Sequence, residues 1–370
     1  MENKIVRIAF LVLFFFLLEC FAKATSRDQA GFDLPQPNGC YPIGTQTITL
    51  KDQQRNRDLL VTMWYPAVAS NAPVAPYMDK KSADALANEW GLRSDFQRHV
   101  RSHARLRPRV AEGSAFPVVL LEHGTNVIPA IYTVLAEGLA SSGFVVVATN
   151  HPLESLIAAY PDGREVRMKP YWPGNADRRT QGLAIYKFGD EVLEKDVRFV
   201  LDQLQQMNAN DRVWEDRLDL SKVGIAGHSM GGTTVVLALQ EETRILAGVT
   251  IDGSTYPGMN ADVRPVPLQK PFMFLVTQEH ADSETHGREF IGSENNTYYV
   301  VLADSDHMSF TDARLLTSRF TTKGHPDDAA FREGWLMSMF TRSVVEEFFG
   351  KYLKGDSAPH LDLKTHLERK

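Results

Sequence analysis

The chain has 370 residues, of which 43% are hydrophobic and 23% are charged, and its formal net charge is −6 at pH 7. This composition is that of a globular protein and excludes a disordered or fibrous chain, while the length allows one large α/β domain or two smaller ones. The mild negative charge argues against a nucleic-acid-binding protein.

The N-terminus has the pattern of a secretory signal peptide. Two basic residues precede an unbroken apolar run at residues 8–18, and the small-residue sequence Ala22-Lys23-Ala24 follows. We predict cleavage after Ala24, which leaves a mature chain of residues 25–370 that is secreted or periplasmic. An uncleaved membrane anchor is the alternative, but the apolar run is shorter than the roughly 20 residues that cross a bilayer.

The segment after the signal is rich in proline and glycine and contains Cys40, the only thiol of the mature chain. An internal disulfide is therefore excluded, and a chain of this length has a core large enough to be stable without one. Two strands are predicted next, at residues 45–50 and 59–65, because β-branched and aromatic residues alternate there between turn signals. We expect them to form a β extension ahead of the main domain.

Residues 68–113 show no strand pattern in the sequence. The stretch begins with prolines and becomes rich in arginine from Arg93 to Arg109. We interpret this basic part as the solvated face of a helix, the alternative being contact with anionic lipid headgroups. Residues 68–113 and 151–182 are predicted to be lid or cap segments over the functional site.

From residue 116 the pattern alternates between strands and helices, which predicts a parallel sheet with right-handed crossovers. The strands are nearly continuous in apolar residues, as expected when helices cover both faces of a sheet. We place the strands at residues 117–122, 144–148, 222–226, 247–251, 271–276 and 297–302. Helices are predicted at residues 193–204 and 328–353. The fold class is therefore α/β, with one domain built on a mostly parallel sheet.

The sequence Gly227-His228-Ser229-Met230-Gly231 directly follows a predicted strand. It resembles the nucleophile elbow of an α/β-hydrolase, a G-x-S-x-G turn between a strand and a helix. The glycines leave room for a tight turn that exposes the serine Oγ, and the helix N-terminus directs N–H groups at the reacting centre. Ser229 is therefore the predicted nucleophile.

A serine that cleaves esters also needs two N–H donors for the charge that develops on the carbonyl oxygen. The first predicted donor is the backbone of Met230, the residue after the nucleophile. The second is the backbone of Thr125, in the sequence Glu122-His123-Gly124-Thr125, where Gly124 lets the chain approach the substrate. His123 precedes the nucleophile in the chain, and we interpret it as bracing this loop.

In α/β-hydrolases the acid and the general base follow the nucleophile in that order. His307 is the favoured base, because it follows the strand at residues 297–302 by a short polar loop. The other histidines in range are His280, His286 and His325. Two acids compete: Asp252 ends one strand, and Asp282 lies beyond the next. The residues slightly favour Asp252, which directly abuts its strand and is followed by a glycine.

Two weaker patterns bear on cofactors and modification. His280, Asp282 and His286 could be drawn as metal ligands, but their spacing fits no standard helix or hairpin site, so no metal is predicted. Serine ester hydrolysis requires no organic cofactor either. Asn295-Asn296-Thr297 is a glycosylation sequon, which has a meaning only in a eukaryotic secretory route.

With these residues in place, the chain resembles the secreted platelet-activating-factor acetylhydrolases, which are calcium-independent α/β-hydrolases that cleave short or oxidised sn-2 acyl chains from phospholipids. The resemblance rests on residues 34–44, on the strand ending in Tyr65-Pro66, on the loop at 122–125 and on the elbow at 227–232. It implies that Asp252 is the acid, one strand earlier than in most α/β-hydrolases, and that His307 is the base.

The chain departs from that family close to the expected acyl pocket. Gly253 and Ser254 stand where vertebrate members carry bulky aromatic residues, and Met230 stands where their elbow often carries one. Bacterial relatives labelled dienelactone-hydrolase-like are at least as similar, although Ser229 replaces the cysteine nucleophile of true dienelactone hydrolases.

Together, these features predict a secreted serine carboxylic-ester hydrolase that forms an acyl-enzyme on short-chain or phospholipid-type esters. Its partners would be a small-molecule or lipid ester and, transiently, a membrane surface or lipid aggregate. A small-ester or polyester esterase of the same fold is the alternative. A catalytically silent binding module is the alternative from another class, but such proteins usually lack a triad member, and here all three positions are filled.

Overall fold

In a computed structural model of the protein, the described residues are 6–7, 31–171, 174–253, 268–282, 297–358 and 361. The strands are β1 (Val6–Arg7), β2 (Phe32–Asp33), β3 (Ile43–Asp52), β4 (Arg57–Pro66), β5 (Val74–Pro76), β6 (Val100–Leu106), β7 (Phe116–Glu122), β8 (Val145–Asn150), β9 (Ile157–Ala159), β10 (Glu165–Arg167), β11 (Leu218–His228), β12 (Ile245–Ile251), β13 (Phe272–Thr277) and β14 (Thr297–Leu302). The α-helices are α1 (Lys80–Trp90), α2 (Thr133–Ser141), α3 (Arg178–Phe188), α4 (Glu194–Asn210), α5 (Met230–Glu241), α6 (Gln278–Asp282), α7 (Ala313–Phe320) and α8 (Asp328–Phe349). Short 3₁₀ turns at Phe96–His99 and Pro129–Tyr132, and π turns at Gly189–Leu193 and Gly350–Lys354, complete the helical structure described.

One sheet of 12 strands dominates the described part of the chain, in the order β1-β14-β13-β12-β11-β7-β8-β4-β3-β6-β2, with β5 pairing to β6. Neighbouring strands from β14 to β8 are parallel. Antiparallel pairing joins β8 to β4 and β4 to β3. The predicted β extension therefore continues the central sheet, which is mostly parallel as the sequence indicates.

The core lies on both faces of this sheet. All seven residues of β7 are buried, and its side chains alternate between two apolar clusters. Val119 and Leu121 belong to one cluster, whereas Val118 and Leu120 belong to the other. Helices cover both faces, and this explains why the central strands read as continuous apolar runs.

The arginine-rich stretch is a strand, and the prediction of a solvated helix face there was wrong. In β6, the side chains of Val100, Ser102 and Ala104 are buried, while Arg101 is exposed. This is the two-residue period of a strand with one face on the core. Because basic residues occupy the other face, the composition resembled that of a solvated helix.

The predicted signal peptide lies outside the described residues, except that the backbone of Val6 and Arg7 pairs in parallel with Val300 and Val301 of β14. Among the described helices, none combines the length and the apolar character that crossing a membrane requires.

Candidate active site

Ser229 is the single residue between the end of β11 and the start of α5. Its backbone has φ 56° and ψ −118°, a conformation that costs a residue with a side chain on the order of 1–3 kcal/mol. Two backbone hydrogen bonds hold it: the Ser229 N–H donates to the Ile251 carbonyl at 3.0 Å, and the Gly232 N–H donates to the Ser229 carbonyl at 2.9 Å. This strained turn leaves the serine half-buried, between a strand and a helix as predicted.

The elbow lies directly against the loop that follows β7. Gly227 pairs with Glu122 in the sheet register, so the two segments leave neighbouring strands side by side. A Cβ atom on Gly231 would lie 2.3 Å from the Glu122 carbonyl oxygen, and one on Gly124 would lie 2.9 Å from the Ser229 Cβ. Both approaches are too close for a side chain, which explains the glycines at these positions.

Asp252 follows β12 at the same sheet edge and is almost fully buried. Its Oδ2 lies 2.6 Å from His307 Nδ1, and its Oδ1 lies 2.5 Å from His280 Nδ1. Oδ1 also accepts hydrogen bonds from the Thr277 N–H at 2.9 Å and the Thr277 hydroxyl at 3.1 Å. Burial alone would raise the pKa of Asp252, but the hydrogen bonds from His280, His307 and Thr277 outweigh it and hold the pKa well below its usual range.

His307 lies in the loop after β14, and 46% of its side chain is exposed. Because its Nδ1 is taken by the carboxylate of Asp252, Nε2 is the nitrogen left to exchange a proton with a substrate group. In the described part of the chain the Ser229 hydroxyl has no hydrogen-bond partner, and catalytic hydrogen bonds often tighten only when substrate binds.

His280 is a partner of Asp252 that the sequence reasoning assigned no role. It lies in α6, one turn after Thr277, whose hydroxyl accepts the His280 N–H at 3.1 Å. β13 lies beside β12 in the parallel sheet, so a histidine just beyond β13 reaches the residue just beyond β12, and this adjacency is visible only in the structure. Asp282, the competing acid, is the last residue of the same helix.

The remaining sequence candidates are not brought to this cluster. His325 is an exposed loop residue ahead of α8. His286 and the sequon residues Asn295 and Asn296 lie outside the described residues. Among the residues described, Asp252, His280 and His307 are the group whose ligand atoms could share a metal ion, all within 4.8 Å of one another, and both Nδ1 atoms are engaged by the carboxylate.

The two predicted oxyanion donors flank Ser229. Met230 opens α5, and Thr125 follows Gly124 in the loop that packs on the serine. The structure describes no acceptor for either backbone N–H. The Thr125 hydroxyl donates a hydrogen bond to the Glu154 carboxylate at 2.5 Å. Burial raises the pKa of Glu154 to about 7 in spite of this hydrogen bond.

A buried ionic network lies under the same loop and was not predicted from the sequence. His151 lies 2.5 Å from Glu122 through Nε2 and 2.8 Å from Asp196 through Nδ1. Asp196 is also bound by Arg57 and Arg55. Burial would lower the pKa of His151, but the two carboxylates outweigh it and raise the pKa to about 9. His151 is therefore an imidazolium that neutralises the buried acids.

His123 connects this network to the loop, as expected of a bracing residue. Its Nε2 accepts the His151 backbone N–H at 3.2 Å, so Nδ1 carries the proton and donates to the Gly124 carbonyl at 2.7 Å. Burial and the charge of His151 lower the pKa of His123 to about 3, which keeps it neutral. Because the Gly124–Thr125 peptide is planar and trans, holding its carbonyl also directs the Thr125 N–H to the opposite side.

A cleft with a volume of about 510 Å³ is lined by Asp306 and Met308, the two neighbours of His307 in the chain, although His307 itself is not part of its lining. It lies between the end of α1, helix α7 and the start of α8. The side chains that line it include Trp90, Asp306, Met308, Arg314 and Thr317. Trp90 belongs to the segment 68–113, which the sequence assigns to a lid or cap.

Comparison with known proteins identifies a family. The family model described as "Platelet-activating factor acetylhydrolase, isoform II" matches residues 26–172 and 193–333. Platelet-activating factor acetylhydrolase of Cavia porcellus is 23% identical over 310 residues, which are 77% of this chain and 70% of the relative. A probable 1-alkyl-2-acetylglycerophosphocholine esterase of Arthroderma benhamiae is 22% identical over 250 residues, or 61% of this chain and 60% of the relative.

A solved structure is similar over nearly the whole chain. Ferulic acid esterase from Streptomyces cinnamoneus superposes with a TM-score of 0.73 at 29% sequence identity. The match covers 90% of this chain and 96% of that esterase. The overall fold is therefore shared with a protein whose name is that of an esterase.

Proposed function

Because this chain belongs to the platelet-activating factor acetylhydrolase isoform II family, has the α/β-hydrolase fold and is a carboxylic ester hydrolase, we propose that it works through Ser229, His307 and Asp252. The observation that carries the proposal is the 2.6 Å contact between the Asp252 carboxylate and His307 Nδ1. Both residues follow parallel strands at the sheet edge where the strained serine turn lies. Ligands bind at this edge in open α/β sheets.

In the proposed reaction, the Ser229 Oγ attacks the ester carbonyl while His307 Nε2 takes the hydroxyl proton. The N–H groups of Thr125 and Met230 hold the resulting oxyanion. The intermediate expels the alcohol, which receives the proton from His307, and an acyl-serine is left. Water then attacks the acyl-serine with His307 again as base, which releases the acid and restores the Ser229 hydroxyl. Asp252 orients the imidazole and stabilises its charged form throughout.

Asp252 is proposed as the acid in preference to Asp282. Its buried carboxylate accepts hydrogen bonds from both histidines, and its lowered pKa keeps it ionised at any pH at which His307 can act as a base. A carboxylate in this state stabilises the imidazolium that forms during the reaction.

The proposed substrates are short-chain or phospholipid-type esters, met in solution or by transient contact with a lipid surface. The support for these substrates is the family membership and the activities after which the relatives are named. A ferulic ester is a second candidate substrate. It is favoured by the similarity to a ferulic acid esterase, which is 29% identical to this chain and is matched over 96% of its own length.

The proposal extends to export and domain organisation. We propose that residues 1–24 are a signal peptide and that residues 25–370 form one secreted or periplasmic domain, with lid or cap segments at 68–113 and 151–182. The single sheet that joins strands from residue 32 to residue 302 supports one domain. Expression with the native N-terminus followed by N-terminal sequencing of exported protein tests the cleavage, which is expected after Ala24.

The enzymatic proposal is tested with a fluorophosphonate probe, which labels an activated serine. Wild-type protein is expected to be labelled, and the Ser229→Ala variant is expected to remain unlabelled while keeping the same thermal unfolding midpoint. A folded wild-type protein that resists labelling would instead be a silent binding module.

Substrate choice is tested by measuring kcat/KM over esters from acetyl to long acyl, with and without a phosphocholine headgroup, alongside methyl ferulate. Acetyl and other short esters are expected to give the largest values. A clear preference for methyl ferulate would replace the first substrate class by the second.

A further inference from the structure

His228, the residue before the nucleophile, is buried at the centre of the site. Its Nδ1 lies 2.9 Å from the Tyr132 hydroxyl, and its Nε2 lies 2.8 Å from the backbone carbonyl oxygen of His307. The same Tyr132 hydroxyl accepts the Gly124 N–H at 3.2 Å. Tyr132 and His228 are each only 1% exposed, so water does not supply alternative partners.

The proton positions in this chain of hydrogen bonds follow from its two ends. The Gly124 N–H can only donate, so the Tyr132 oxygen is an acceptor there. The His307 carbonyl can only accept, so His228 Nε2 carries a proton. Burial and the neighbouring His307 lower the pKa of His228 to about 3, and the neutral ring therefore has a lone pair on Nδ1 for the Tyr132 hydroxyl proton. Each donor in this series of hydrogen bonds then has one acceptor.

We propose that Tyr132 and His228 are positioning residues that couple the oxyanion loop to the loop of the general base. The coupling runs from the Gly124 N–H through the Tyr132 hydroxyl and the His228 ring to the His307 carbonyl. It rests on the proposed function, because it matters only if Thr125 N–H and His307 act on one substrate.

The coupling joins segments that are far apart in the chain. The oxyanion loop leaves β7 and the loop of His307 leaves β14, and four strand-to-strand steps separate the two in the sheet order. His228 ends β11, which lies between them, and its ring is 4.5 Å from the His307 ring, centre to centre. A buried side chain on a rigid strand can thus hold both loops at a fixed distance from Ser229, and small displacements of such groups are costly in rate.

The first experiment compares Tyr132→Phe, His228→Asn and the double variant on an acetyl ester. The Asn amide can still accept from Tyr132 but does not reach the His307 carbonyl. Each single change is expected to lower kcat roughly tenfold to a hundredfold with KM within about twofold, because positioned donors act on the transition state. The kcat of the double variant is expected to be little lower than that of the less active single variant, because both single changes interrupt the same series of hydrogen bonds.

Controls separate positioning from general loss of packing. Tyr65→Phe also removes a buried tyrosine hydroxyl, which donates to the Pro108 carbonyl at 2.9 Å, and it is expected to leave kcat unchanged. His228→Gln carries an amide donor closer to the position of Nε2 and should recover part of the activity lost in His228→Asn. Kinetic losses that multiply in the double variant, or an equal loss in Tyr65→Phe, would overturn the coupling.

The second experiment measures the protonation state and tautomer of the His228 ring by ¹⁵N NMR of Ser229→Ala protein that carries ¹⁵N-labelled histidine. His228 is expected to be neutral with its proton on Nε2 from pH 5 to 9, and the Tyr132→Phe change is expected to shift its Nδ1 resonance. A proton on Nδ1 would refute the proposal even if a kinetic variant failed to fold. Failure of the proposed function would give a different result from failure of the coupling: the wild-type protein would neither react with the fluorophosphonate probe nor hydrolyse esters.

Discussion

The carboxylate of Asp252 is shared between two imidazoles, with His307 on one oxygen at 2.6 Å and His280 on the other at 2.5 Å. A single acid with two histidine partners is more than the orientation of one base requires. Because Asp252 is buried, the second histidine and Thr277 satisfy the oxygen that His307 leaves free. Because the members of this cluster make different contacts with Asp252, replacing each of them is expected to change turnover by a different amount.

Replacing Asp252 by Asn should lower kcat by about four orders of magnitude, because the amide stabilises the wrong tautomer of the base and cannot balance the imidazolium. Asp282→Asn is the matched control and should keep near wild-type turnover. Steady-state hydrolysis of an acetyl ester measures both. The assignment of the acid is wrong if turnover collapses only in Asp282→Asn.

Removing the second imidazole by His280→Ala should lower kcat/KM by about threefold to tenfold, far less than the loss in Asp252→Asn. The His280 side chain is 23% exposed, so water can replace part of its hydrogen bond to Asp252. The variant loses a contact that lowers the pKa of Asp252, and this pKa should therefore rise. NMR titration of the carboxylate in wild type and variant measures the change; a fall in the pKa would contradict it.

Gly124→Ala tests the close approach of the oxyanion loop to the nucleophile. The added Cβ would lie 2.9 Å from the Ser229 Cβ, so the loop must move away and the Thr125 N–H with it. We expect kcat to fall by about a hundredfold or more, the loss typical of one oxyanion donor. Gly174→Ala, in a turn with open space around it and no positive φ, is the control for a generally harmful glycine replacement. Unchanged kcat in Gly124→Ala would remove the loop from the proposed mechanism.

The buried His151 predicts a pH dependence of stability. Its pKa is raised to about 9 in the folded protein from about 6.5 in an unfolded chain, so the folded state binds more protons between these values. The stabilisation is fully present below pH 6.5 and is lost as the pH rises through about 9. Urea unfolding from pH 6 to pH 9.5 should show this decline, and His151→Gln should reduce it. A stability that rises with pH in wild type would contradict the ionic network.

Local pattern was enough to predict most of the fold. The central strands are apolar runs with turn residues at both ends, and helices such as α4 repeat their apolar residues with helical spacing, so each can be located from the sequence. The basic strand β6 could not be located, since Arg101, His103 and Arg105 alternate there with Val100, Ser102 and Ala104, a buried side with little apolar surface. The strand order and the pairing of β3 and β4 with the main sheet depend on contacts between distant residues.

The sequence by itself determined the position of Ser229 in a strand–turn–helix motif and the chain order in which an acid and a histidine follow it, because both depend on neighbours in the chain. Their roles in catalysis remain predictions. Only the tertiary structure decided that Asp252 meets His307 and His280 together, and that His228 and Tyr132 join two loops across the serine. Those contacts depend on which parallel strands lie side by side, and sheet order is a property of the packed core as a whole.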